Sequence, residues 1–253
     1  MKPRPLHSII RFCDRTLKTN DFTDWPGAVN GLQVENHGHV RKIAAAVDAS
    51  AATIQKAIAA GADLLLVHHG LFWSASHPWV GKRYAMLKLL LDHNLAVYSS
   101  HLPLDAHPAL GNNALLAKAL GLRRWTPFFL EKGRNIGLRA RAKISRAELE
   151  MRLAKVLRAA PRVIPGGPAI CRSIGIVTGG AGDEIRKARA EGVDTFITGE
   201  GRHWTYALAE ELGLNVFYGG HYATETFGVQ ALAALLSQKF GLPWEFLDNP
   251  TGL

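Results

Sequence analysis

The stretch that decides the fold runs from residue 41 to residue 70: RKIAAAVDASAATIQKAIAAGADLLLVHHG. Lys42 to Val47 is a short β-like run. Ala51 to Ala60 has helical composition and is closed by Gly61, a common residue just past a helix end. Asp63 to Val67 reads as an apolar strand, uninterrupted from Leu64 to Val67. This β-α-β order continues outward. Lys82 to His93 predicts a helix, Leu95 to Tyr98 a strand, and Asn112 to Leu120 a helix closed by Gly121. Strands alternating with helices predict an α/β fold with a largely parallel sheet.

The second half repeats the order. Strands are predicted over Ser173–Val177, Asp194–Thr198 and Asn215–Tyr218, with helices over Asp183–Glu191, His203–Leu212 and Thr224–Phe240. Shifted by 131 positions, residues 41–70 lie on residues 172–201 without a gap. Arg41, Ile43, Ile54, Lys56, Ala57, Ala59, Gly61, Asp63 and Gly70 then meet identical residues. At a shift of 120, His101 falls on His221, Asp105 on Glu225, Gly121 on Gly241 and Leu122 on Leu242. The expectation is two related α/β domains with mostly parallel sheets flanked by helices. They would span residues 1–126 and 127–253, joined by a basic segment around Phe128 to Ala142. The last helix would pack back on the first half.

The bulk numbers exclude several classes. With 47% hydrophobic and 20% charged residues in 253, the chain is neither disordered nor fibrous. No run approaches the roughly 20 apolar residues of a membrane span. The opening MKPRPLHSIIRFCDRTLK lacks the apolar core of a secretory signal. A cytoplasmic protein without membrane contact is expected, with Cys13 and Cys171 as reduced, buried thiols. The net charge of +9 is spread along the chain, with a mild concentration from Arg134 to Arg162 and no nucleic-acid motif. Nucleic acid is therefore not the expected partner, while a weak bias toward phosphate-bearing small molecules remains.

The polar residues of interest follow predicted strands. His68-His69-Gly70 follows Asp63–Val67, His101 and Asp105 follow Leu95–Tyr98, Glu200 follows Asp194–Thr198, and His221 follows Asn215–Tyr218 with Glu225 four residues on. Ligands of open α/β sheets bind beyond the carboxyl ends of the strands. Imidazole and carboxylate are ordinary ligands for divalent first-row metals. His68, His69, Asp105, His221 and Glu225 exceed what one catalytic ion needs. Two ions roughly 3.5–4 Å apart would use all five and leave room for water. The plain alternative for any one of these histidines is a hydrogen-bonded structural residue, and His7, His37, His39, His77 and His93 are assigned to that role or to the surface. Trp73, Trp79, Trp204 and Tyr222 are read as packing residues with the capacity to stack on a flat ring. Gly166-Gly167 and Gly179-Gly180 read as turn glycines that match neither a P-loop nor a dinucleotide fingerprint.

Five motifs together resemble a known family: NGLQVE (Asn30 to Glu35), VHHGLFW (Val67 to Trp73), HLPLDAHPALGNN (His101 to Asn113), ITGE (Ile197 to Glu200) and GGHYATE (Gly219 to Glu225). They look like the signatures of the Nif-three-like dinuclear metal-centre family, whose members are labelled GTP cyclohydrolase 1 type 2 homologues. The likeness runs nearly end to end and is to the short bacterial form. It implies two α/β domains with a two-metal site at their junction and a ring-shaped homohexamer. Carried over by motif, the metal ligands would be His68, His69, Asp105, His221 and Glu225. The cofactors would be two divalent ions, whether zinc, iron, manganese, nickel or cobalt. His101 and Glu200 would be near neighbours of the metals and the candidate catalytic proton shuttles. Tyr222 stands where relatives often have a second histidine, and Trp204 follows His203 where a His-His pair is common. The implied activity is metal-dependent hydrolysis of a nucleotide-like substrate. A non-enzymatic metal-binding ring scaffold that interacts with other proteins is the alternative.

Overall fold

The structure, a computed structural model, describes residues 2–73 and 77–252. In chain order the strands and α-helices are β1 (Arg4–Pro5), α1 (Leu6–Leu17), β2 (Gly31–Val34), β3 (His39–Val40), β4 (Ile43–Asp48), α2 (Ala51–Ala59), β5 (Leu64–His69), α3 (Gly81–Asp92), β6 (Ala96–Ser99) and α4 (Leu102–Asp105). Then come α5 (Asn112–Ala119), β7 (Trp125–Glu131), β8 (Arg134–Ser145), α6 (Arg146–Leu157), β9 (Arg162–Pro165), β10 (Ile170–Ile176), α7 (Ile185–Ala190), β11 (Thr195–Thr198), α8 (Thr205–Leu212), β12 (Asn215–Tyr218), α9 (His221–Phe240) and β13 (Trp244–Phe246). The α/β class read from the sequence is the class observed. No helix among the described residues is long and apolar enough to cross a membrane.

The chain divides into two compact units. One holds residues 1–104 with 228–249, the other residues 105–227 with 250–253. This division falls earlier than the boundary after residue 126 that the sequence suggested. The reason is packing: Ala114, Leu116, Ala117, Leu120 and Leu122 belong to the same buried cluster as Leu138, Ile174 and Phe217.

The first unit is built on a five-stranded sheet in the order β13-β4-β5-β6-β2. β4, β5, β6 and β13 run parallel, and β2 is antiparallel at one edge. Ile43 to Val47 and Leu64 to Val67 are buried on both faces, which is why these strands read as continuous apolar runs. Between them, Ser50 caps α2. Its hydroxyl accepts from the Thr53 amide, while the Thr53 hydroxyl accepts from the Ser50 amide, and this satisfies two amides that a helix start would otherwise leave exposed. The helix α1, which the strand-centred reading passed over, buries Leu6, Ile9, Ile10, Cys13 and Leu17 along one stripe.

The second unit carries a six-stranded sheet in the order β7-β8-β10-β11-β12-β9. Only its centre, β10-β11-β12, is parallel; β7, β8 and β9 join it antiparallel. The sheet is therefore mixed, and the basic segment around Phe128 to Ala142 is not a linker but a pair of its strands. In β8, Ile136, Leu138, Ala140 and Ile144 are buried at alternate positions, while Gly137, Arg139, Arg141 and Lys143 lie on the other face. The period of two was present in the sequence, and the density of arginine obscured it. Cys13 and Cys171 are both buried free thiols.

The internal match has a structural cause. The Asp63 carboxylate accepts from the amides of Arg41 and Lys42 at 2.7 and 3.2 Å. At the matching place Asp194 accepts from Arg172 at 3.0 Å and Ser173 at 3.0 Å. Ile43 pairs with Leu64, and Ile174 pairs with Thr195, so the same acid ties the start of each repeat's first strand to the next. Gly61 and Gly192, which follow α2 and α7, have φ of +68° and +85°, a left-handed conformation that glycine adopts without strain.

Candidate metal centre

In the first unit the parallel strands end on the polar residues. Asp48 closes β4, His68 and His69 close β5, and His101 follows β6. The rings of His68, His69 and His101 lie 4.8 to 5.7 Å apart, centroid to centroid. Each offers a nitrogen to a group whose members lie within 4.8 Å of one another. His68 is fully buried.

In all three residues Nδ1 meets an oxygen. For His68 it is the carbonyl of Ser100 at 2.9 Å, for His69 the Asp48 carboxylate at 2.8 Å, and for His101 the Asp24 carboxylate at 2.8 Å. A carbonyl only accepts, so the Nδ1 of His68 carries the proton and Nε2 carries the lone pair. Anchoring one ring nitrogen to an oxygen is how proteins fix the tautomer and direction of a metal-binding histidine. Trp73 stands edge-on to His69 and His101, with centroids 5.3 and 5.0 Å away.

The anchors are themselves held. Asn30 donates to Asp24 at 2.8 Å and accepts from the His101 amide at 2.7 Å. Gln33 accepts from the Leu71 amide at 2.7 Å, and a Cβ at Gly70 would collide with the Gln33 side chain. The NGLQVE motif thus braces His101 and the turn after His-His. Burial works to raise the Asp24 pKa, but the hydrogen bond and charge of His101, with the bonds from Asn30 and the Trp25 amide, outweigh it and hold the carboxyl at about 2.

That shift carries a stability prediction. A carboxyl held lower in the folded than in the unfolded chain stabilises the fold above its unfolded pKa. The contribution disappears as pH falls from about 4 toward 2. Asp24→Asn is expected to cost roughly 1–2 kcal/mol at pH 6, with the gap from the parent closing toward pH 2. Urea unfolding across that range measures it, and a pH-independent gap would refute the assignment.

In the second unit, His221 and Glu225 lie one turn apart at the start of α9, with Nε2 and Oε2 3.2 Å apart. His221 Nδ1 meets Glu200 at 2.9 Å. Burial works to lower the His221 pKa, but the bonds and charges of Glu225 and Glu200 prevail and raise it to about 9. These two carboxylates make a place that favours positive charge, and the Glu225 side chain is only 2% exposed. The Gly179 amide donates to Thr224, and a Cβ there would collide with Glu225. Gly179 is thus a point of close approach as well as a turn.

Asp105 is buried. It accepts from the side chain of Asn112 at 2.8 Å and from the Thr178 hydroxyl at 3.4 Å. Asn113 bridges the carbonyls of Asp105 and Ile136 to the Thr178 amide. Asn112 and Asn113 were visible in the sequence as part of a motif. Their role in orienting Asp105 was not, because it depends on where Thr178 arrives. Of the aromatics singled out beforehand, Tyr222 is buried, whereas Trp204 is exposed.

The donors suit a divalent cation: imidazoles with directed lone pairs, buried carboxylates, and a histidine between two acids. Both thiols are elsewhere in the core.

A profile of the family described as Duf34/NIF3 (NGG1p interacting factor 3) matches residues 5–251. This chain belongs to that family. A relative from Halobacterium salinarum named GTP cyclohydrolase 1 type 2 homolog is 43% identical over 96% of this chain and 97% of its own length. A relative of the same name from Deinococcus radiodurans is 39% identical over 97% of this chain and 93% of its own. Among solved structures, TTHA1606 from Thermus thermophilus superposes with a TM-score of 0.91 at 42% identity, covering 99% of this chain and 100% of that one. The family likeness read from the five motifs is therefore established over almost the whole chain, and this family member shares its fold with that solved relative.

Proposed function

We propose that this protein binds two divalent metal ions through His68, His69, Asp105, His221 and Glu225, and that it is a metal-dependent hydrolase acting on a nucleotide-like substrate in the cytoplasm. The observation that carries the reading is the anchoring of His68 and His69, with His101 beside them, each by Nδ1 to an oxygen. The names of the curated relatives point the same way.

Bound divalent ions would supply a hydroxide at neutral pH and polarise the bond under attack. The chain's own groups have separate tasks. Asp48 and the Ser100 carbonyl aim the two adjacent imidazoles. Asn112 and Thr178 hold the Asp105 carboxylate. His101, backed by Asp24, takes and returns a proton through Nε2, while Glu200 holds His221. Trp73 shields the histidines and offers a face to a planar ring.

The test is incubation of the metal-loaded full chain with GTP, other nucleotides and phosphoesters. Turnover that is absent from the His68→Ala variant is expected. Turnover no higher than in that variant across the whole panel would refute the hydrolase. The family's description as an NGG1p interacting factor favours a second reading, a metal-binding homohexameric ring that serves as a scaffold. Light scattering that finds a hexamer, with tight metal retention and no turnover, would select it.

A further inference from the structure

The basic segment of the second unit does more than fill a sheet. Its cations have separate fates. Arg139 is spent on the Glu191 carbonyl at 2.8 Å, and Arg146 on Gly167 and Asn215. Arg141 and Lys143, at exposed alternate positions of β8, have no acidic partner among the described residues, and neither has Arg123 after α5. Arg123, Arg141 and Lys143 line one recess of about 450 Å³, together with Ser145, Glu148 and Arg152. Arg152 is fixed there by the Glu148 carboxylate at 2.8 Å and the Leu120 carbonyl at 3.1 Å. Four cations thus face one carboxylate around a single concavity, and three of them are unneutralised.

We infer that this recess is a binding site for a small polyanion bearing two or more phosphate groups, such as a nucleoside polyphosphate. None of the residues that line it belongs to the candidate metal centre. Like charges gathered without counter-charges raise the local potential, and an anion relieves it. Guanidinium forks match phosphate oxygens in pairs, and Arg152 is already held in place. The volume is that of a small-molecule pocket. A nucleic-acid strand needs a basic track several nucleotides long. Here the run along β8 is interrupted at Arg139, whose guanidinium is turned to the Glu191 carbonyl. An acidic peptide would present single, spaced carboxylates to a cluster that converges on one recess.

The experiment is calorimetric titration of the metal-stripped 253-residue chain with inorganic triphosphate at several salt concentrations. Saturable binding that weakens as salt rises is expected. The charge-reversed variant Arg141→Glu/Lys143→Glu, both on the exposed face of β8, should bind at least about tenfold more weakly. Arg123→Ala should weaken binding by a smaller factor, and Lys82→Glu, an exposed charge reversal on α3 outside the recess, should bind like the parent. Circular dichroism confirms that each variant is folded; should the double variant unfold, Arg123→Ala alone decides. No binding by the parent, equal binding by parent and decisive variant, or an equal loss of binding in Lys82→Glu would each overturn the inference. So would tighter binding of a single-stranded oligonucleotide or of poly-glutamate than of triphosphate at this recess. Because the protein is metal-free and no turnover is read, the result is independent of whether the hydrolase reading survives.

Discussion

His68→Ala is expected to bring metal content well below two ions per chain and to reduce any metal-dependent turnover by about 10²-fold or more. The size of the effect follows from position. The ring is fully buried, and its Nδ1 bond to Ser100 at 2.9 Å leaves it one orientation. Removing it deletes a directed lone pair and strands a buried carbonyl. It also opens a void that the β5 and β6 backbones, paired in register, have little freedom to close. The metal-free variant should therefore be less stable by about 2–4 kcal/mol. Elemental analysis after extensive dialysis reads the first effect, and denaturant unfolding with chelator reads the second. Retention of two ions by a folded His68→Ala protein would remove His68 from the ligand set.

Gly179→Ala should be nearly as damaging although it removes no functional group. Two costs add there. The residue has φ +72°, where a Cβ is strained, and the Cβ would run into the Glu225 carboxylate and come within 3.4 Å of His221 Nε2. The Gly179 carbonyl accepts from the amides of Gly199 and Glu200 and from the Thr198 hydroxyl, so the backbone has little room to retreat. A loss of about 2–4 kcal/mol in stability is expected, with displacement of Glu225. Metal affinity should fall even under conditions where the variant is folded. Parent-like metal content and stability would show that Glu225 is neither crowded at Gly179 nor needed for the metal.

These two sites differ in how they could be found. His68 stood out because two adjacent histidines at the end of an apolar strand have few structural explanations. Gly179 read as a turn glycine because its close approach to Glu225 depends on a residue 46 positions away. The same holds for Asp24 and Asn30. Nothing local marks them as the brace of His101; only the antiparallel pairing of β2 with β6 brings the segment there. What was legible was periodic: the apolar runs of β4 and β5, the glycine stops, and the repeated Asp63/Asp194 pattern. What was hidden in β8 and α6 was equally periodic but carried on an arginine-bearing background, whereas β7 buries only the adjacent Phe128 and Phe129 and shows no period. A reading that followed the apolar residues alone, at alternate positions through Ile136, Leu138 and Ala140, would have found β8.

The connectivity of the first sheet bears on how the protein is made. α9 starts in one unit and ends in the other, and β13 then adds a parallel edge to β4. During translation, the first sheet can assemble β2, β4, β5 and β6 early, but β4 keeps an open row of amides and carbonyls until residues 244–246 leave the ribosome. Until then a strand-pairing edge is exposed on a strand that is apolar from Ile43 to Val47, the kind of edge that recruits other chains. Ribosome-bound chains that stop short of Trp244 should therefore be more dependent on chaperones than the finished protein.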